Sequence, residues 1–297
     1  MSKTTKKIEI VPFTPRRFPP RHLTRKHFLP LLKKAEDALT KCSESIQRFS
    51  IPQKVCHALH QVEAINSLES PTSSISIKAF LQAPKRQQKT EPIYDYLKAL
   101  KMASTNLIDA TFSKKQICKI HSIVKKSSSP KSELGRYRNR QNWIGPAGCT
   151  IDQAYFYPPA AETLETLMNQ LLCYMNSKQQ EPLLQLALIY AQFLILHPFM
   201  DGNGRVARIL ASLFLYKNKY LPAPLFFLSG YFKKHKLKYF RSLYRTTDEN
   251  DWDEWICFFL KGIIQSAQKY TRVRSYISKN PETDLLPLLR ILHVNQK

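Results

Sequence analysis

Glycine is scarce in this 297-residue chain, with seven in all, and two of the seven flank a single asparagine, Asn203. Only glycine lets backbone N–H groups close on a ligand with no side chain in the way, so a doubled glycine in so sparing a sequence marks a place to look. Long apolar runs are also missing. Residues 186–196 are interrupted by Tyr190 and Gln192 and stop at His197-Pro198, short of the roughly 20 residues that a bilayer-spanning helix needs. No membrane contact is expected. The opening residues carry Pro12, Pro15, Arg16, Arg17, Pro19 and Pro20 where a secretory leader would have an apolar core, so a secretory signal is not expected either. Six cysteines, at 42, 56, 118, 149, 173 and 257, form no C-x-x-C pair and no cluster with histidine. That spacing argues against a zinc site or disulfide framework and for reduced thiols in a cytoplasm.

Acidic residues are the other deficit: 22 Asp+Glu face 46 Lys+Arg, leaving a net charge of +24. Such an excess attracts phosphates, nucleic acid or acidic protein surfaces, with plain solvated faces as the alternative. It is uneven, because residues 1–34 hold ten Lys/Arg and only Glu9 as an acid. This stretch reads as a basic arm able to contact a polyanion.

What the chain does have is core-forming material, 43% hydrophobic and 11% aromatic, enough for one large domain or two modest ones. Helical spacing begins near His27-Phe28-Leu29 and returns over residues 51–68, 93–107, 113–124, 162–176, 182–196, 205–216, 232–245 and 252–270, so the fold class is all-α. Residues 135–145, bounded by glycines and alternating polar with aromatic, are expected to form a short β-hairpin. The expected organisation is a basic strap and helices over 1–90, a core over 91–275 and a tail over 276–297. Residues 183–196, apolar nearly all round, are expected to run through the middle of the bundle and to deliver His197 from a rigid support.

Chemistry concentrates just after that helix. Glycines at 202 and 204 precede an amphipathic helix, whose free N–H groups and dipole stabilise an anion. Arg205 and Arg208, three residues apart, share a helical face and can reach one polyanion. Asp201 offers a hard carboxylate oxygen suited to Mg²⁺ bridging phosphates. His197 can accept a hydroxyl proton near neutrality. Taken singly, each has a bland alternative: a helix stop, a turn, a solvated face. Together, His197, Phe199, Asp201, Gly202, Asn203, Gly204, Arg205 and Arg208 make one contiguous pattern.

That pattern resembles the Fic-domain family motif, H-x-F-x-[D/E]-G-N-G-R-x-x-R, at every specified position, and the likeness spans about residues 15–270. Tyr137-Arg138 and Trp143-Ile144-Gly145 look like the family's target-docking hairpin flap, with Tyr155 to Pro159 as its continuation. Residues 228–232, Tyr239 and residues 251–255 fit its later helices. The resemblance implies a Fic-type helical bundle that transfers AMP from ATP to a Ser, Thr or Tyr hydroxyl of a target protein. It makes His197 the general base, Phe199 a core anchor and Asp201 the Mg²⁺ ligand. Gly202, Asn203 and Gly204 become the phosphate cradle, and Arg205 and Arg208 the phosphate clamps. Tyr231 and Tyr239 are expected to line the adenosine pocket, ordinary helix packing being the alternative, and His235-Lys236 stands where many relatives carry Asn-Arg. Many members also carry an inhibitory glutamate in [S/T]-x-x-x-E-[G/N]; residues 65–70 match it at Glu69, while Ile65 and Ser70 depart from it. A plain helix-terminal glutamate is the alternative. Three other readings stay open: a basic helical nucleic-acid-binding protein, motivated by residues 1–34 and 233–245; a Fic-fold phosphotransferase; and a Fic-fold enzyme that transfers another nucleotide or removes AMP.

Overall fold

The helix that the fold is built around needs no amphipathic stripe, because every residue from 183 to 196 is buried. The structure, a computed structural model, describes residues 10–47, 53–67, 92–106, 111–146, 148–224 and 228–279. The elements are α1 (Arg25–Gln47), α2 (Gln53–Asn66), α3 (Pro92–Asn106), α4 (Lys114–Val124), α5 (Leu164–Asn176), α6 (Pro182–Leu196), α7 (Asn203–Lys217), α8 (Ser229–Lys234), α9 (Lys236–Asp248) and α10 (Trp252–Lys279). Pro182 starts α6 at a position where its missing N–H costs nothing. The helix then packs against α5, α7, α10 and α1. Trp255 Nε1 donates to Ala187 O at 2.8 Å, tying α10 to its middle.

Shorter helices start where the sequence provides a cap. Ser113 accepts from Gln116 N while the Gln116 side chain accepts from Ser113 N, a reciprocal pair that sets the first turn of α4. The spacing over residues 232–245 reads as one helix, but the chain breaks at His235, which ends α8 and begins α9. Apolar spacing runs through the break, so periodicity could not reveal it. The outer face of α9 leaves Leu237, Phe240 and Tyr244 exposed among Lys236, Lys238 and Arg241.

Two expectations need correction. Residues 10–34 are not a free arm. Phe13 N donates to Tyr157 O, Phe18 packs edge-on against Tyr174, and Thr24 N donates to both oxygens of Asp253. Behind them Phe28, Leu32, Ala35, Leu39 and Cys42 form a buried stripe of α1 laid along α10. The basic side chains here sit on the outside of a docked segment because the intervening apolar ones are its anchors. Nor do residues 135–145 fold back on themselves. Among the described residues the sheet is a single antiparallel bridge between Ile144 and Phe156. The first leg spends its backbone elsewhere: Arg138 N donates to Pro198 O at 2.8 Å. The described helices of the first 67 residues share one hydrophobic core with the rest.

Candidate active site

Helix α6 ends at His197, which adopts the left-handed conformation with φ 46° and caps the helix through its own N–H to Phe193 O. That reversal turns the chain into the loop and fixes the imidazole. Nδ1 lies 3.1 Å from Leu194 O, which can only accept. Nδ1 therefore carries the proton, and Nε2 keeps its lone pair. Desolvation, with Arg138 adding to it against the pull of Leu194 O and Asp201, lowers the pKa to about 4. His197 is thus neutral at physiological pH, in the tautomer a base needs.

The loop itself is held from three sides. Asn203 accepts from Phe199 N at 2.9 Å and donates to Phe199 O at 2.8 Å, and Asn142 donates to the same carbonyl at 3.1 Å. The Asn203 side chain, 1% exposed, is accordingly spent on the loop, and only its backbone is left for a ligand. Phe199 is fully buried, and His121 stacks on it with centroids 3.8 Å apart and planes 1° from parallel. Gly135 N donates to His121 Nδ1, so His121 Nε2–H donates to Asp201 O at 3.0 Å. Burial holds His121 at about 4, hence neutral. Gly202, at φ 84°, is the N-cap of α7. A Cβ there would be strained by that φ and would meet Lys125 Cγ at 2.9 Å, so glycine is required twice over.

Charge gathers where α7 begins, at first-turn N–H groups that have no partner within the helix. Lys125 donates to Asp201 Oδ2, and Arg205 Nη2 stands 3.8 Å from that oxygen. Desolvation alone would raise the Asp201 carboxyl; the hydrogen bond and charge of Lys125, then Arg205, outweigh it and hold it below the ordinary value. Asp201 keeps 67% of its side chain exposed. Among the described residues no group of three or more His, Cys, Asp or Glu comes together. One hard oxygen at the lip of this turn has the chemistry that suits Mg²⁺, which is commonly held by one or two carboxylates with substrate phosphates and water completing its shell. Arg208, 6% exposed, points back under α2 and donates to Ser67 O at 2.9 Å.

The remaining expected site residues make contacts of their own. Trp143 is 38% exposed and donates from Nε1 to Cys149 O, Ile144 makes the bridge to Phe156, and a Cβ on Gly145 would meet Cys149 Sγ at 2.6 Å. Tyr231 packs against Phe232, His235 and Phe258, and Tyr239 against Phe232, Phe240, Trp255 and Phe258. Glu69 lies outside the described residues.

Sequence reasoning placed Arg138 in the flap without its contacts beneath the loop, and it did not single out Lys125 or Glu63. Arg138 donates to the carbonyls of His197, Arg140, Pro159 and Leu196. Lys125, at the end of α4, is buried and donates to Asp201 Oδ2. Glu63 escaped notice altogether: its buried carboxylate accepts from Ser229 Oγ at 2.5 Å and Tyr96 Oη at 3.4 Å. Its position on the apolar face of α2 was the one available signal, since an acid there needs partners. Desolvation raises it from 4.5 to about 7 against the pull of Arg208, Ser229 and Tyr96. A carboxyl with a raised native pKa contributes stability in full below its unfolded value and loses it as pH rises through the native one. Glu63→Gln, which mimics the protonated acid, should therefore gain stability relative to the unmodified chain as pH climbs from about 4.5 to about 7. Denaturant unfolding at several pH values reads this difference; a Gln variant that loses ground over that window would overturn it.

Residues 111–215 match the model of the Fic/DOC family. A protein adenylyltransferase Fic of Aedes aegypti is 26% identical over 268 residues, 86% of this chain and 50% of that protein. One from Nematostella vectensis is 29% identical over 219 residues, 67% of this chain and 49% of that protein. The chain thus spans about half the length of the curated relatives it matches. Among solved structures, a Fic family protein from Desulfovibrio desulfuricans superposes with a TM-score of 0.67 at 18% identity, over 90% of this chain and 79% of that one. Fic-1 of Caenorhabditis elegans gives 0.62 at 17% identity, over 84% and 73%. The bundle has the Fic fold.

Proposed function

Because residues 111–215 form a Fic/DOC-family domain, we propose that this chain is a protein adenylyltransferase, moving AMP from ATP onto a hydroxyl of a target protein. The observation that carries the reading is the pairing of a tautomer-fixed His197 with the free first-turn N–H groups at the start of α7, six residues on. His197 Nε2 takes the proton of the incoming Ser, Thr or Tyr hydroxyl as its oxygen bonds to the α-phosphorus. The bond from that phosphorus to the β-phosphate oxygen breaks, and pyrophosphate leaves. First-turn N–H groups of α7 and the Arg205 guanidinium hold the phosphates, with Arg208 joining them once it leaves Ser67 O. Mg²⁺, held by Asp201, supplies charge neutralisation across the phosphates when bound. The exposed Trp143 edge beside Ile144 is where the target segment docks, and Tyr231 flanks the adenosine. A reducing cytoplasm is the proposed setting, from the cysteine spacing.

Incubation with ATP followed by mass spectrometry tests the reaction: a mass gain of one AMP on the chain or on lysate proteins is expected. No gain with ATP, and a gain with another nucleoside triphosphate, would reassign the donor.

Control is proposed at the same arginine. The Arg208–Ser67 hydrogen bond supports it, since Glu69 follows Ser67 by two residues and a guanidinium engaged there is not available to a phosphate. Glu69→Gly should raise self-modification about tenfold, a coupling of the usual size between an inhibitory element and a site. Arg208→Ala should be inactive with or without that change. Equal rates for Glu69→Gly and the unmodified chain would remove Glu69 from the scheme.

A further inference from the structure

Lys125, at the C-terminal end of α4, is 3% exposed. A buried ammonium is costly unless paired, and among the described residues this one donates to Asp201 Oδ2. The stem is packed: its Cγ and Cδ occupy the space a Cβ on Gly202 would enter, at 2.9 and 3.0 Å. The two partners are unequal, with 4% of the lysine side chain exposed against 67% of the aspartate. The lysine is therefore the fixed member, while the carboxylate has water as an alternative. Asp201 Oδ1 accepts from Gly202 N, so both carboxylate oxygens are engaged before any ligand arrives.

Resting on the reading that Asp201 receives Mg²⁺ with the nucleotide, we propose that Lys125 is a resident counter-ion that makes divalent-cation binding depend on the phosphates. In the free enzyme the ammonium holds the oxygen that a cation would take, and two positive centres within a few ångströms repel one another. Once phosphate oxygens sit at the start of α7, they offer negative charge to both, and cation and ammonium are accommodated together. Metal and nucleotide then strengthen each other's binding by the same factor. Nothing in the family motif specifies this, because position 125 lies outside it.

The experiment uses the full chain, Mn²⁺ as probe and a non-hydrolysable ATP analogue, with metal affinity read by titration calorimetry with and without the analogue. Lys125→Met keeps the apolar stem and leaves behind an exposed carboxylate that water can satisfy, so the variant should fold. It should bind Mn²⁺ roughly tenfold more tightly in the absence of nucleotide, with a smaller ratio between the two affinities. Lys125→Gln, neutral but still a donor to Asp201, should show a smaller gain and serves if the Met variant does not fold. Unchanged or weaker Mn²⁺ binding by the free variants would overturn the proposal. Lys125→Met/Asp201→Asn separates the two ideas: loss of the gain supports both. If the double variant binds Mn²⁺ as tightly as Lys125→Met, the cation lies elsewhere and the Asp201 assignment fails with the proposal.

Discussion

His197→Asn is expected to lower the rate of AMP transfer about 10²- to 10⁴-fold, the usual worth of a positioned base, while ATP affinity stays within about threefold. Asparagine is the right replacement because position 197 has φ 46°. It tolerates the left-handed region better than alanine, so the turn into the loop survives and only the proton acceptor is lost. The base acts on the incoming hydroxyl and touches no phosphate, so binding and chemistry should separate. The pH dependence carries the same assignment. A base must be unprotonated, and desolvation puts His197 at about 4. The acid limb of kcat/KM should therefore fall near pH 4 instead of near 6.5, the ordinary histidine value. Both readouts come from steady-state assays against a peptide acceptor. An acid limb near 6.5, or parallel loss of ATP binding, would remove His197 as the base.

Arg138→Met should cost about 3 to 5 kcal/mol of folding stability, the range for breaking a buried charged network. Arg138 is 4% exposed, and desolvation lowers its pKa to about 10, partly offset by Glu162, so it remains charged at neutral pH. Its guanidinium serves carbonyls of residues 140, 159, 196 and 197, two of them at the C-terminus of α6, where carbonyls have no helical partner. Methionine fills much of the volume and satisfies none of them, leaving acceptors buried. Because one of those carbonyls belongs to His197, transfer should fall even at temperatures where the variant is folded. Urea unfolding measures the first effect and single-turnover rates the second. A stability loss below about 1 kcal/mol would mean that water replaces the guanidinium.

Helix α6 was readable in the sequence to the residue, because Pro182 marks its start and His197-Pro198 its end, with a mostly apolar run between. The candidate loop stood out for a different reason: its residues are contiguous, so spacing along the chain is spacing in space. Lys125 illustrates the limit. In Lys125-Lys126-Ser127-Ser128 nothing distinguishes the first lysine from the second, yet the last turn of α4 buries one and exposes the other. Its partner is 76 residues away, and no periodicity reports a contact at that range. Glu63 was hidden likewise, with Ser229 at a separation of 166 residues. Residues 10–34 dock through partners far along the chain, Tyr157, Tyr174 and Asp253, which local charge and spacing do not report. The break at His235 fell between two helices that share one apolar face. In each case the missing information was tertiary.

The pairing of α1 with α10 has a consequence for how the chain is made. Thr24 and Asp253, joined in the folded protein, are 229 residues apart. A ribosome adding about 5–20 residues per second needs roughly 10 to 50 s to deliver the second after the first. Throughout that interval the apolar stripe from Phe28 to Cys42 has no α10 to lie against, and a nascent chain in this condition is a substrate for chaperones that hold exposed apolar helices. Closing α1 onto the bundle therefore waits until α10 has been synthesised.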